Sequence, residues 1–186
     1  RALNSVVVWM VWRNYMKNKL GYFPLFLDIR SKRILVVGAG NIALRRIKTL
    51  LQFAEEVEVA SRDICPEIET LVKLQKIKFV GGAYEERMLD GIFMVLACTD
   101  DRELNSRICT AARGRGILAN NCSNQKECDF FFPSVVKQEE LVIGINDCSA
   151  NHKKVKETRR QIEQIVGGND ADYNRNQGEP SGTGTK

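Results

Sequence analysis

The chain has 186 residues, 44% of them hydrophobic and 27% charged, with a formal net charge of +5. That is an ordinary globular profile, long enough for one good core or for one domain with a small appendage. The positive balance is too weak to argue for nucleic acid, but it suits an anionic small-molecule ligand.

In chain order, Val6 to Trp12 is an apolar run far too short to span a bilayer. The chain opens with Arg1, and Met16-Lys17-Asn18-Lys19 reads as a start, so residues 1–15 are expected to be a poorly ordered extension. Tyr22 to Ile29 alternates loosely and is expected to lie extended beside the first strand. Ile34 to Val37 is a continuous apolar run, as a parallel strand covered on both faces requires. A helix is expected over 42–53, a strand over 57–59, a helix over 65–76 with Pro66 near its start, and a strand over 77–80. A short turn at 85–89 precedes a strand at 92–97 and a helix at 102–113, where Asp100 and Glu103 have the spacing of a capping box. Strand five is expected over 117–120. This alternation argues for an α/β fold with a Rossmann-type, doubly wound parallel sheet over residues 16–121.

The pattern then changes. Two β-rich runs, 130–136 and 141–145, flank polar Lys137-Gln138-Glu139-Glu140 and read as a hairpin, followed by a basic helix over 153–166. Residues 122–166 thus form a small appended unit. An exposed apolar hairpin is a liability on a monomer, so a homodimer is expected, with the hairpin as its dimerisation element. Residues 167–186 are rich in Gly, Asn, Ser and Pro and are expected to be disordered. The six cysteines have no C-x-x-C spacing and read as reduced thiols of a cytoplasmic protein. The gap between Cys122 and Cys128 is not a zinc-knuckle spacing, and no metal site is expected.

Gly38-x-Gly40-x-x-Ala43 follows a strand and opens a helix, which is the context of the dinucleotide fingerprint. Gly38, Gly40, Asn41, Ile42 and Ala43 are therefore expected to cradle a pyrophosphate at the helix N-terminus. At the end of strand two, Asp63 suits the free 2′-hydroxyl of NAD, whereas Arg62 suits a 2′-phosphate. Thr99 and Asp100 end strand four at the crevice where such sheets bind ligands, although capping of the next helix also accounts for both. Asn120 ends strand five and faces the crevice on the same logic.

With these residues laid out, the chain resembles the precorrin-2 dehydrogenase family, the oxidase module of siroheme synthase. The resemblance is carried by Tyr22-Phe23-Pro24-Leu25-Phe26-Leu27-Asp28, by the turn from Gly38 to Arg46, by Ala97-Cys98-Thr99-Asp100-Asp101-Arg102-Glu103-Leu104-Asn105, and by Cys128-Asp129-Phe130-Phe131-Phe132-Pro133-Ser134. It implies a Rossmann domain, a small dimerisation domain, NAD as cofactor and oxidation of the tetrapyrrole precorrin-2 to sirohydrochlorin. Some members also insert iron. Ser123 stands where family members often carry an aspartate, the loop after the hairpin departs from the family's, and the C-terminal helical region is reduced to about one helix. The nearest remaining candidates for proton acceptor are Asp147 and the sole histidine, His152, whose alternatives are a turn aspartate and a surface histidine. Lys153, Lys154 and Arg159 are candidates for binding substrate carboxylates, or form a solvated helix face. Three other readings stand beside the dehydrogenase: a non-catalytic NAD-binding regulatory module, a bifunctional dehydrogenase and chelatase, and a degenerate member that binds NAD without turning over. No nucleic acid or membrane partner is expected.

Overall fold

The computed structural model describes residues 22–148 and 151–176, and side chains as far as 167. Its centre is a five-stranded parallel sheet of β1 (Arg33–Val37), β2 (Glu56–Ala60), β3 (Lys78–Gly81), β4 (Met94–Ala97) and β5 (Leu118–Asn121), in the order β3-β2-β1-β4-β5. The order reverses between β1 and β4, so the crevice at their C-terminal ends is the topological switch point of a Rossmann-type sheet. Helices α1 (Asn41–Leu50), α2 (Pro66–Lys73) and α3 (Arg102–Arg113) connect the strands, with a 3-10 turn at Glu86–Leu89 before β4.

Alternation along β1 builds two cores. Ile34 and Val36 pack with Ala43, Ile47 and Leu50 of α1 and Ile68 of α2 on one face. Leu35 and Val37 pack with Ile108, Cys109 and Ala112 of α3 on the other. Both faces are covered, which is why β1 and β4, at the centre of the sheet, read as unbroken apolar runs.

Residues 22–29 do not join the sheet, contrary to expectation. Both edges of β1 are taken by β2 and β4, and Pro24 has no N–H to give a ladder. The capping residue of α3 is Asp101, whose Oδ1 accepts from Leu104 N at 3.0 Å, rather than Asp100. Asp100 lies one position too early for its carboxylate to reach the first free amides of the helix.

The hairpin comprises β6 (Ser134–Gln138) and β7 (Leu141–Ile145), antiparallel and two-stranded. Residues 130–133, expected as the start of its first strand, are not in the ladder. Pro133 lacks an amide, and the Phe130 and Phe132 carbonyls accept from Asn120 and Arg46 instead. The last helix, α4, runs His152–Asn176, so residues 167–176, expected in the disordered tail, are helical backbone. The expected extension at 1–15 and residues 177–186 lie outside the described residues. Among the described residues no helix is long and apolar enough to cross a membrane.

Candidate functional site

The turn from β1 into α1 shows two glycines used for different ends. Gly38 is buried with φ +103°, and a Cβ built on it would lie 2.6 Å from the Cys98 carbonyl oxygen. The close approach of β1 to the end of β4 therefore demands glycine at this position. Gly40 has φ −86°, and a Cβ on it would meet nothing within 4 Å. Neither conformation nor internal packing requires a glycine there, and the space it leaves open lies over the helix N-terminus.

That N-terminus is bare. Gly40 supplies no side-chain cap, the first turn of α1 holds no acidic residue, and the first intrahelical bond is Leu44 N to Gly40 O at 2.9 Å. The amides of Asn41, Ile42 and Ala43 are left to an outside acceptor. Ala43 is fully buried, so its small side chain lets α1 lie close on β1. Free amides, the positive end of a helix dipole and an open glycine face fit the pyrophosphate of a dinucleotide.

At the tip of β2, Ser61 Oγ donates to the Asp63 carbonyl at 2.7 Å, which closes the loop. The side chains of Arg62 and Asp63 are exposed and, among the described residues, unpaired. After β4, Thr99 is held by fully buried Asn105. Asn105 Oδ1 accepts from Thr99 N at 3.1 Å and pairs with Thr99 Oγ1 at 2.7 Å, while its Nδ2 donates to Thr99 O at 2.9 Å and to Ser123 Oγ at 3.1 Å. Asn105 thus ties the loop after β4 to the loop after β5. Asp100 is exposed at the turn. Asn120 is buried, its Nδ2 donating to Phe130 O at 2.9 Å.

The loop after β5 is a hydrogen-bonded unit. Asn121 Oδ1 accepts from Ser123 N, Ser123 Oγ and Asn124 N, and its Nδ2 donates to Glu127 Oε2 at 2.7 Å. Glu127 also accepts from Ser106 Oγ at 2.7 Å and Asn124 Nδ2 at 2.8 Å. These donors, Ser106 first, hold its carboxyl below the usual range.

Between α1, this loop, the hairpin and the start of α4 lies a cleft of about 500 Å³. Ile42, Asn120, Asp147 and His152 line it, so four expected site residues from distant parts of the chain meet there. Asp147 is largely buried, its carboxylate 3.5 Å from Lys154 Nζ. The other expected residues are elsewhere. Arg62, Asp63, Thr99 and Asp100 do not line this cleft. Neither do Lys153, Lys154 and Arg159, and Arg159 is spent on Glu163 at 2.7 Å. The cationic wall is formed instead by Arg45 and Arg46 of α1. Arg46 lies over the Phe132 ring at 4.2 Å and donates to the Phe132 carbonyl at 3.2 Å. Neither arginine is among the expected site residues, although both stand in the motif that opens α1. Among the described residues no group of three His, Cys, Asp or Glu side chains is placed to hold a metal ion.

The family model described as "Putative NAD(P)-binding" matches residues 25–134. Siroheme synthase of Sodalis glossinidius (strain morsitans) is 35% identical over 145 residues, covering 78% of this chain and 31% of that protein. Siroheme synthase of Baumannia cicadellinicola subsp. Homalodisca coagulata is similar at the same identity, with the same shares covered. The chain spans about a third of the length of these curated relatives. Among solved structures, "SirC, precorrin-2 dehydrogenase" has the same fold, with a TM-score of 0.65 at 22% identity, over 77% of this chain and 71% of that one.

Proposed function

We propose, on the premise that this chain belongs to the "Putative NAD(P)-binding" family and is similar to siroheme synthases, that it binds NAD and oxidises precorrin-2 to sirohydrochlorin. The observation that carries the reading is the contrast at the turn: Gly38 is demanded by the fold, whereas Gly40 leaves an open face over a bare helix N-terminus. The amides of Asn41, Ile42 and Ala43 would hold the pyrophosphate. Arg62 and Asp63 would flank the adenosine ribose, with the acid favouring NAD. Thr99, Asp100 and Asn120, at the ends of β4 and β5, would border the nicotinamide.

When bound, NAD supplies the hydride acceptor. The residues of this chain then have two tasks, to hold the macrocycle in the cleft and to take a proton. Arg45 and Arg46 meet substrate carboxylates through charge-assisted bonds, with Lys153, Lys154 and Arg159 as an outer basic field. Asp147 accepts the proton at its carboxylate, with His152 on the same wall as the second candidate. Precorrin-2 enters this reading from the structural neighbour, itself a precorrin-2 dehydrogenase, and from the resemblance in the sequence.

A homodimer belongs to the same proposal. Phe23, Leu25 and Phe26 are 86%, 70% and 72% exposed, beside the stacked Tyr22 and Phe131 rings at 3.8 Å, and a second copy would cover them. Sedimentation velocity reads this directly.

The test is an anaerobic assay with precorrin-2 and NAD that follows NADH and the macrocycle spectrum together. Coupled formation of NADH and sirohydrochlorin supports the dehydrogenase. NAD binding without turnover overturns it in favour of a regulatory module.

A further inference from the structure

Cys98 follows β4 and Cys122 follows β5. These strands are parallel neighbours with Ala97 opposite Asn121, and the ladder continues one step as Cys122 N donates to Ala97 O at 2.9 Å. The two cysteines therefore hang from adjacent backbone positions, and their sulfurs lie 3.0 Å apart. Neighbouring strands are about 4.8 Å apart, within the Cα separation that a disulfide spans. A disulfide has an S–S distance of about 2.05 Å, so closure asks for about 1 Å of sulfur travel.

The two thiols are not equivalent. Cys122 lines the cleft, whereas Cys98 is buried beneath the glycine turn. The hydrogen bond between the two sulfurs, together with the neighbouring Arg46 cation, holds the Cys122 thiol down to about 7, against the opposing effect of its burial. The same bond, with burial, pushes Cys98 well up. One sulfur is an accessible nucleophile and the other a protonated partner behind it, which is the arrangement of an attacking and a resolving cysteine.

We propose that Cys98 and Cys122 form a reversible redox pair, which a hydroperoxide converts to a disulfide at the floor of the cleft. The Cys122 thiolate attacks the terminal peroxide oxygen. The O–O bond breaks, the alcohol (water, for hydrogen peroxide) leaves, and Cys122 becomes a sulfenic acid. The Cys98 sulfur then attacks the Cys122 sulfur, the S–O bond breaks, and water leaves with the thiol proton. The thiols lose two electrons in all, and the peroxide gains them. A small-molecule thiol reverses the step by exchange. This inference does not rest on the dehydrogenase reading, and its test needs neither NAD nor a tetrapyrrole.

The test treats the full chain with hydrogen peroxide, blocks remaining thiols with N-ethylmaleimide under denaturing conditions, and maps unreduced peptides by mass spectrometry. Labelled cysteines should fall from six to four, with a Cys98–Cys122 cross-linked peptide that dithiothreitol removes. Cys122→Ser should abolish the link while the protein stays folded, since position 122 is partly exposed. Cys98→Ala should leave Cys122 trapped as sulfenic acid or more highly oxidised. Retention of all six labels overturns the proposal. So does a bond from Cys122 to Cys128, or one between chains through exposed Cys148, in place of the 98–122 link. The wild-type peptide map decides the matter even if Cys98→Ala fails to fold.

Discussion

Alanine at Gly38 and alanine at Gly40 should separate folding from cofactor binding. At Gly38 the new methyl would sit 2.6 Å from the Cys98 oxygen, 2.7 Å from the Cys98 carbonyl carbon and 2.9 Å from Thr99 N, all backbone atoms just past the end of the interior strand β4. The positive φ costs an L residue about 1–2 kcal/mol, and overpacking against immovable backbone costs about 1–3 kcal/mol more. Gly38→Ala should therefore lose about 2–5 kcal/mol. At about 2–4 °C per kcal/mol for a chain of this size, the melting temperature should fall by about 4–20 °C. At Gly40 the methyl meets nothing within 4 Å and φ is −86°, so the variant should fold as well as the parent, or gain about 0.4–1 kcal/mol from a stiffer unfolded chain. The same methyl occupies the face reserved for the pyrophosphate and should weaken NAD binding tenfold or more, about 1.4 kcal/mol. Scanning calorimetry and NAD titration of the two variants give the answer. A Gly38→Ala protein that melts like the parent, or a Gly40→Ala protein with unchanged NAD affinity, refutes the reasoning.

Other outcomes follow from single contacts. Asn105→Ala removes every partner that fully buried Asn105 gives to Thr99 and Ser123, and should cost about 2–4 kcal/mol in urea unfolding. Arg33 holds the buried Glu58 carboxylate through Nε at 2.9 Å and Nη2 at 3.2 Å, so Arg33→Leu should cost about 2–4 kcal/mol, whereas Arg33→Leu with Glu58→Leu should recover most of that loss. Because the Glu127 carboxyl is depressed in the folded state, its contribution is complete above the ordinary glutamate range and disappears as pH falls through the depressed value. Urea midpoints of Glu127→Gln should accordingly vary less with acidification than those of the parent. Asp147→Asn should lower turnover by about 10²–10⁴-fold with NAD affinity unchanged, and full turnover in that variant would remove Asp147 as proton acceptor.

Much of the α/β frame was legible along the chain because its signals are local. The two strands at the centre of the sheet are buried on both faces and read as unbroken apolar runs, residues 34–37 and 94–97. The turn from Gly38 to Ala43 is legible as a motif within six residues, although what demands glycine at 38 is the Cys98 backbone at the end of β4, and no neighbour in the protein demands it at 40. Helix α3 occupies the residues that the periodicity marks, yet its cap is Asp101 rather than Asp100. Two adjacent aspartates offer the same chemistry, and only the backbone angle at the strand's end selects between them.

What depended on the third dimension is the cleft. Residue type and position nominate Asp147 and His152, but whether they meet Ile42 and Asn120 depends on where the hairpin docks. The basic residues of α4 were the visible cationic cluster, while the cleft is walled by Arg45 and Arg46, because which face of α1 the hairpin covers is a matter of packing and not of composition. Cys98 and Cys122, 24 residues apart, carry no shared spacing signal. They become neighbours because β4 and β5 pair in parallel, and strand pairing is a long-range choice of the whole sheet that no local window of sequence contains.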